Sequence, residues 1–254
     1  MFFDTHAHLD DEAFDIDRDE LISSFAEVGV TRVLNASSDM PSSYKTLALC
    51  KKYDFIYGAV GIHPEAADRM EDGDMEKLEA LAKEKNIVAI GETGLDYYWD
   101  NVPREVQQKA FRAHCNLALK LNLPIVVHDR EAHKDTFDIL GEFPELKRVV
   151  YHCFSGSVEY AREIVKRGYY FSFGGAITFK NARHAPDVIK AVPRERIMLE
   201  TDCPYMAPVP YRGKRNHPGY IPQIAAKISE LWSVSPEEAG RITTENALRF
   251  FGIK

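Results

Sequence analysis

The sequence predicts an α/β fold, a single-domain (β/α)8 TIM barrel with an extra helix at its C-terminal end. Three observations lead there. Short runs of β-formers alternate with amphipathic stretches of helical period from end to end. The 254 residues match the usual size of such a barrel, about 250. Side chains able to bind metals stand at the carboxyl ends of the predicted strands, where a barrel gathers its loops around one cavity.

The first strand, 2–8, is the apolar run Phe2-Phe3-Asp4-Thr5-His6-Ala7-His8, and the amphipathic stretch Asp17–Val28 follows it, stopped by Gly29. Strand 31–36 then leads into helix Ser42–Lys52, strand 55–61 into Asp74–Lys85, and strand 87–92 into the long pattern Glu105–Leu121. Strands 124–128 and 148–153 are followed by Glu131–Leu140 and Val158–Arg167, which end at Gly141 and Gly168. Strand 169–173, helix Ala185–Ala191 and strand 197–202 complete eight strands, and two helices close the chain at Ile221–Trp232 and Pro236–Phe250. The last begins with a Ser235 cap, Pro236 in the first turn, and Glu237 and Glu238 beside the positive end of the helix dipole. No Pro/Gly/Ser linker, repeat or low-complexity tract interrupts the pattern, so residues 1–254 read as one domain.

A hydrophobic content of 45% suffices for a large core. The net charge of −7 and a sequence pI near 5.7 exclude a general nucleic-acid coat, so any phosphate recognition is local. Cys50, Cys115, Cys153 and Cys203 show no CxxC spacing and no secretory leader precedes the first strand, which leads to the expectation of a reduced, cytoplasmic protein. Cys153 and Cys203 each follow a candidate ligand, and strand alternation turns them away from it into packing positions. No apolar run approaches the roughly 20 residues needed to span a membrane, and no obligate protein partner is indicated.

His6 and His8 are one residue apart in a strand and so share a face, half of a metal site. Glu92, His128, His152 and Asp202 each end a β-rich run, which gives four histidines, one glutamate and one aspartate, a two-metal inventory. His114 and His133 fall in helices, as scattered core histidines would. Glycines 91 and 94 flank Glu92 and allow close backbone approach, and its two oxygens can bridge two cations; the plain alternative is a solvent-facing loop glutamate. Asp202, turned out of its strand by Pro204, is placed to hold one metal and accept the proton of an attacking water. Glu200, on the same side of that strand, is expected to orient a ligand rather than to be one. His63, after strand three, is open between a substrate contact, a partner of a ligand and a loop residue capped by Pro64.

The segment 205–220 combines Pro208, Pro210 and Pro218 with Arg212, Lys214 and Arg215 and with Tyr205, Tyr211 and Tyr220. Stiff backbone, clustered cations and stacking rings suit a phosphodiester chain, whereas a solvated basic loop is the plain alternative. Tyr97, Tyr98 and Trp99 are a second stacking surface on the opposite rim, or simply cover the barrel mouth.

Together, Asp4-Thr5-His6-Ala7-His8, Gly61-Ile62-His63-Pro64, Gly91-Glu92-Thr93-Gly94-Leu95-Asp96, His128, His152-Cys153-Phe154-Ser155-Gly156, Glu200-Thr201-Asp202-Cys203-Pro204 and Gly213-Lys214-Arg215-Asn216 resemble the TatD family of metal-dependent deoxyribonucleases, within the amidohydrolase-like barrels. The resemblance implies that His6, His8, Glu92 and Asp202 hold one divalent ion, and that Glu92, His128 and His152 hold the other. It further implies that His63 and the Arg215 loop lie near substrate phosphate, and that the enzyme is a 3′ to 5′ exonuclease; a barrel rim admits a chain terminus more easily than intact duplex, which leads to the expectation of single-stranded or frayed DNA fed by its end. Many superfamily relatives bridge their metals with a carboxylated lysine; Glu92 in that place separates this chain from the hydantoinase type. His217 is a departure, since many relatives carry Glu after the Arg-Asn pair. If that Glu orients Arg215 or Lys214, phosphate contact by the loop differs here.

The chemistry so read is water activated by two cations, with Glu92 bridging and Asp202 or a metal-bound hydroxide handling the proton. The residue types leave Mg, Mn and Zn open as the metal. An alternative is a metal-dependent amidohydrolase or esterase acting on a small molecule, which has no need of Arg212, Lys214 and Arg215. A metal-stabilised binding protein is disfavoured because structural sites are closed shells, whereas this set leaves open positions.

Overall fold

A computed structural model describes residues 1–254. Eight parallel strands pair in chain order: β1 (Phe2–Ala7), β2 (Val30–Ala36), β3 (Ile56–Val60), β4 (Ile87–Asp96), β5 (Ile125–Arg130), β6 (Val149–Tyr151), β7 (Tyr170–Phe173) and β8 (Ile197–Leu199). The helices are α1 (Arg18–Ser24), α2 (Met40–Lys52), α3 (Asp74–Leu81), α4 (Arg104–Leu121), α5 (His133–Gly141), α6 (Val158–Lys166), α7 (Ala185–Ala191), α8 (Ile221–Trp232) and α9 (Pro236–Phe251). The eight strands form the nearly closed barrel of a TIM fold, as the alternating pattern predicts.

Element boundaries differ from expectation where the chain uses tighter turns. The amphipathic stretch 17–28 is an α-helix only to Ser24 and continues as a 3-10 turn, Phe25–Val28, before Gly29 enters the left-handed region at φ 80°. Helix α3 stops at Leu81 rather than Lys85. The stretch after His63 forms a 3-10 turn, Pro64–Arg69, that the sequence pattern did not announce.

Strand β8 is only three residues long, so the β1–β8 seam is completed beyond it by backbone and side-chain contacts together. Ala7 bridges Cys203, and Asp202 N donates to His6 O at 2.9 Å. Thr5 Oγ1 donates to Leu199 O at 2.9 Å, and the buried Asp4 carboxylate accepts from Thr201 N at 2.9 Å and from its hydroxyl at 2.5 Å. Burial against this seam pushes the Asp4 carboxyl up to about 7 despite those hydrogen bonds.

One buried side chain from each strand (Phe3, Leu34, Ala59, Ala89, Val126, Val150, Tyr170 and Met198) joins Ala247, Phe250 and Phe251 of α9 in a single apolar cluster. The extra C-terminal helix therefore plugs the amino-terminal floor of the barrel. A separate, larger apolar cluster lies between the strands and the outer helices and includes Cys203. All four cysteines are free; Cys153 is half-buried.

Two irregularities decide what faces the mouth. β1 spends one extra residue between Asp4 and Ala7 against β2, and β4 one extra between Ile90 and Thr93 against β5. Such a bulge reverses the inward–outward alternation beyond it. Phe3 and Ala89 point to the interior cluster below the bulges; His6, His8 and Glu92 reach the interior above them.

Candidate metal centre

The carboxyl ends of the strands bring together all six predicted ligands and His63. The two oxygens of Glu92, which is 3% exposed, divide the set. Oε2 stands 3.1 Å from His6 Nε2 and 3.5 Å from His8 Nε2; Oε1 stands 2.8 Å from His128 Nδ1, 2.8 Å from His152 Nε2 and 3.5 Å from His63 Nε2. Asp202 Oδ1 completes the first side at 3.5 Å from His8 Nε2 and 3.9 Å from His6 Nε2.

This donor set fits divalent cations. Imidazole nitrogens and carboxylate oxygens are their usual ligands, and the neighbours around a cation bound at about 2.1 Å stand roughly 3 Å apart. The Nε2 atoms of His6 and His8 are 3.2 Å apart, and His128 Nδ1 and His152 Nε2 are 3.1 Å apart. Each pair points two ring nitrogens at one place, which a shared cation satisfies and two protons would not. His6–His8–Glu92 and His6–His152–Asp202 each bring three ligand atoms close enough to share one ion.

The far side of the rings fixes their tautomers. His8 Nδ1 donates to Ala36 O at 2.8 Å, leaving Nε2 free to bind. His128 Nε2 donates to Asp96 Oδ2 at 2.9 Å, leaving Nδ1 free. His152 Nδ1 faces Glu200 Oε1 at 3.6 Å, while the other oxygen of Glu200 is held by the Ser172 hydroxyl. Glu200 thus stands behind a ligand, as strand alternation suggested. Asp96 does the same for His128, and the sequence reading gave it no role. Its signal was present, because Asp96 lies four residues beyond Glu92 in one strand and so shares its face.

His63 differs. Its Nδ1 accepts from Glu65 N at 3.2 Å in the cap of the 3-10 turn, so in the neutral ring the proton is on Nε2, which points at the centre as a donor. Burial and the adjacent His128 ring push its pKa down to about 3 and keep it neutral.

Charge in the cluster is mutually supporting. Burial opposes ionisation of Glu92, yet the surrounding imidazoles hold it well below the usual carboxylate range. Asp202 is lowered against burial by His8, His152 and His6. Burial likewise opposes protonation of His8, but Asp202, Glu92 and Asp10 raise it to about 9.

Asp202 and Cys153 take left-handed backbone at φ 56° and 44° just past β8 and β6. For residues other than glycine this is conformational strain of the kind that gathers at functional sites. At Gly94 a Cβ would meet His128 O at 2.0 Å, and at Gly91 Val126 O at 2.6 Å, which is the close approach of β4 to β5 that these glycines permit.

The basic loop is placed less directly. Arg215 grips Asp17 with two nitrogens at 2.8 and 2.6 Å, donates to Ala13 O and lies over the Phe14 ring. Arg212 covers Phe179 at 4.2 Å, and Lys214 sits 5.7 Å from the Tyr211 ring centre. His217 packs on Tyr220, itself stacked on Tyr211 at 4.0 Å, so Asp17 rather than residue 217 orients Arg215. Buried Asn216 ties the loop to β8's end by donating to Thr201 O and Tyr205 O. Tyr205 meets a candidate ligand directly, its ring edge-on to His8 at 6.3 Å. No helix is long and apolar enough to cross a membrane.

The family model described as TatD related DNase matches residues 3–252. The chain is 44% identical to the uncharacterized metal-dependent hydrolase YabD of Bacillus subtilis, with 100% of both chains covered. It is 32% identical to the 3′-5′ ssDNA/RNA exonuclease TatD of Cronobacter sakazakii, over 98% of this chain and 97% of that one. Among solved structures, the TatD homolog YJJV of Escherichia coli K12 superposes with a TM-score of 0.94 at 30% identity, covering 100% of this chain and 98% of that one.

Proposed function

The chain belongs to the TatD-related DNase family of metal-dependent hydrolases, and from that premise we propose that it hydrolyses phosphodiester bonds at the 3′ ends of single-stranded or frayed DNA. The observation that carries this reading is the division of Glu92's two oxygens between two sets of imidazoles, which makes it a carboxylate able to bridge two ions. His6, His8, Glu92 and Asp202 would hold one ion and Glu92, His128 and His152 the other. When bound, such cations supply Lewis acidity toward the phosphate and lower the pKa of water.

The protein's own groups do the rest. Asp202, kept ionised, accepts the proton of the attacking water. His63 Nε2–H donates to a non-bridging phosphate oxygen, a donor aimed where charge builds. Asp96 and Glu200 keep His128 and His152 in the ligating tautomer. The Cronobacter relative's name supports a strand shortened from its 3′ end.

The test is an end-labelled single-stranded oligonucleotide given to chelated protein with Mg²⁺, Mn²⁺ or Zn²⁺ supplied separately, beside Glu92→Ala. Stepwise loss from the 3′ end that disappears in the variant is the expected result; internal fragments appearing first would overturn the exonuclease reading. A second reading, hydrolysis of a small amide or ester, is favoured by one observation, the commitment of Arg215 to Asp17. Neutralising Arg212, Lys214 and Arg215 together separates the two, because only the nuclease loses activity.

A further inference from the structure

Across the mouth from Tyr205 lies an aromatic pair to which the hydrolytic chemistry assigns no task. Strands β4 and β8 are four places apart either way around the barrel, hence opposite each other. Tyr98 and Trp99 follow β4 and remain 55% and 49% exposed, unusual for large rings set in one short turn. Their rings meet edge to face at 4.8 Å. The guanidinium of Arg130, at the end of β5, lies 3.9 Å from the Tyr98 ring centre and 5.8 Å from that of Trp99.

The turn is anchored to the metal centre. Asp96 Oδ1 accepts from Tyr98 N at 2.9 Å and from Trp99 N at 3.3 Å, while Oδ2 holds His128 Nε2. One carboxylate therefore fixes the His128 ring and the backbone of both aromatic residues, so the turn that carries the exposed rings keeps a set position relative to Glu92.

We infer that Trp99 and Tyr98, with Arg130, form a stacking platform for the unpaired nucleobase next to the scissile phosphate. The half-exposed indole of Trp99 can stack on a base of any identity, and the guanidinium lying over the neighbouring Tyr98 ring is placed for the adjoining phosphate. The inference rests on the nuclease reading and narrows it, because a base reaches an exposed ring only from an unpaired strand. A small ester offers nothing to stack.

The tryptophans provide the probe, since Trp232 is buried at the end of α8, its Nε1 donating to Ile189 O, and Trp99 is exposed. Metal-loaded protein is titrated with a phosphorothioate oligothymidylate, whose backbone resists hydrolysis, and with the same backbone carrying abasic sites. Emission is expected to be quenched strongly by the base-bearing strand and weakly by the abasic one, and the quench is expected to vanish in Trp99→Phe. In cleavage assays Trp99→Ala should raise KM for the strand on the order of tenfold with little change in kcat, and Trp99→Phe should restore most of the loss. Equal quenching by both strands, or an unchanged KM in Trp99→Ala, would overturn the platform. Quenching by bases without cleavage under any metal would remove the nuclease reading and leave the platform as a strand-binding surface.

Discussion

The carboxylate of Asp96 receives the Nε2 proton of His128 at 2.9 Å, while the opposite nitrogen of that ring stands 2.8 Å from Glu92. A charged acceptor behind a ligating imidazole both fixes the tautomer and makes the ring a better donor. Asp96→Asn should therefore weaken one of the two ions by about 10- to 100-fold and leave the His6/His8 ion in place. Metal content after dialysis, measured by elemental analysis, checks this; retention of both ions would show that Asp96 serves only the turn.

Glu92→Gln keeps the shape of the bridge and removes its charge. Both ions should be lost or weakened together, with activity falling at least about 100-fold, more than for loss of a supporting carboxylate. Loss of only one ion would show that the two oxygens serve a single site. Titration of metal into the chelated variant reads the difference.

Arg215 and Asp17 are joined by two hydrogen bonds on a partly exposed surface, their side chains 30% and 36% exposed. Solvent screening limits the worth of such a pair, so Arg215→Gln should cost about 1 kcal/mol in urea denaturation. The double variant with Asp17→Asn should be little worse than either single one, with the coupling shrinking at high salt. Additive losses would mean that the pair is not an energetic unit.

His114 lies fully buried in α4, its Nδ1 donating to Ala110 O at 2.7 Å and its Nε2 accepting from Ile62 N at 3.1 Å, next to His63. Burial pushes its pKa from 6.5 down to about 4. The unfolded chain then binds a proton between these values that the native state refuses, so this stability is present above about pH 6.5 and lost as pH falls toward 4. The loss is on the order of 3 kcal/mol. Denaturation midpoints across that range should flatten in His114→Gln; an unchanged slope would assign the acid sensitivity to other groups.

Much of this was legible in the sequence because hydrophobic period and ligand position reinforce each other in a barrel. Helices α7 and α8 begin and end at the residues their patterns suggested, and the six candidate ligands, which the fold brings together, were visible as polar side chains in or closing β-rich runs. The bulges in β1 and β4 were not visible, since one extra residue leaves no compositional mark although it sets which side chains enter the mouth. Asp96 was missed because it lies inside a strand that pattern reading ended at Glu92, four residues early. The engagement of Arg215 with Asp17 depends on residues 198 positions apart, which no local signal joins.

The plug that α9 sets into the barrel floor turns the cavity into a cul-de-sac. Whatever enters past Tyr205 and Trp99 must leave the same way. A long polymer cannot thread through and advance as it is shortened, so the departing fragment and the oncoming chain compete for one doorway. In the proposed nuclease the traffic at that doorway, and not only the cleavage step, would set how many units are removed before the polymer is let go.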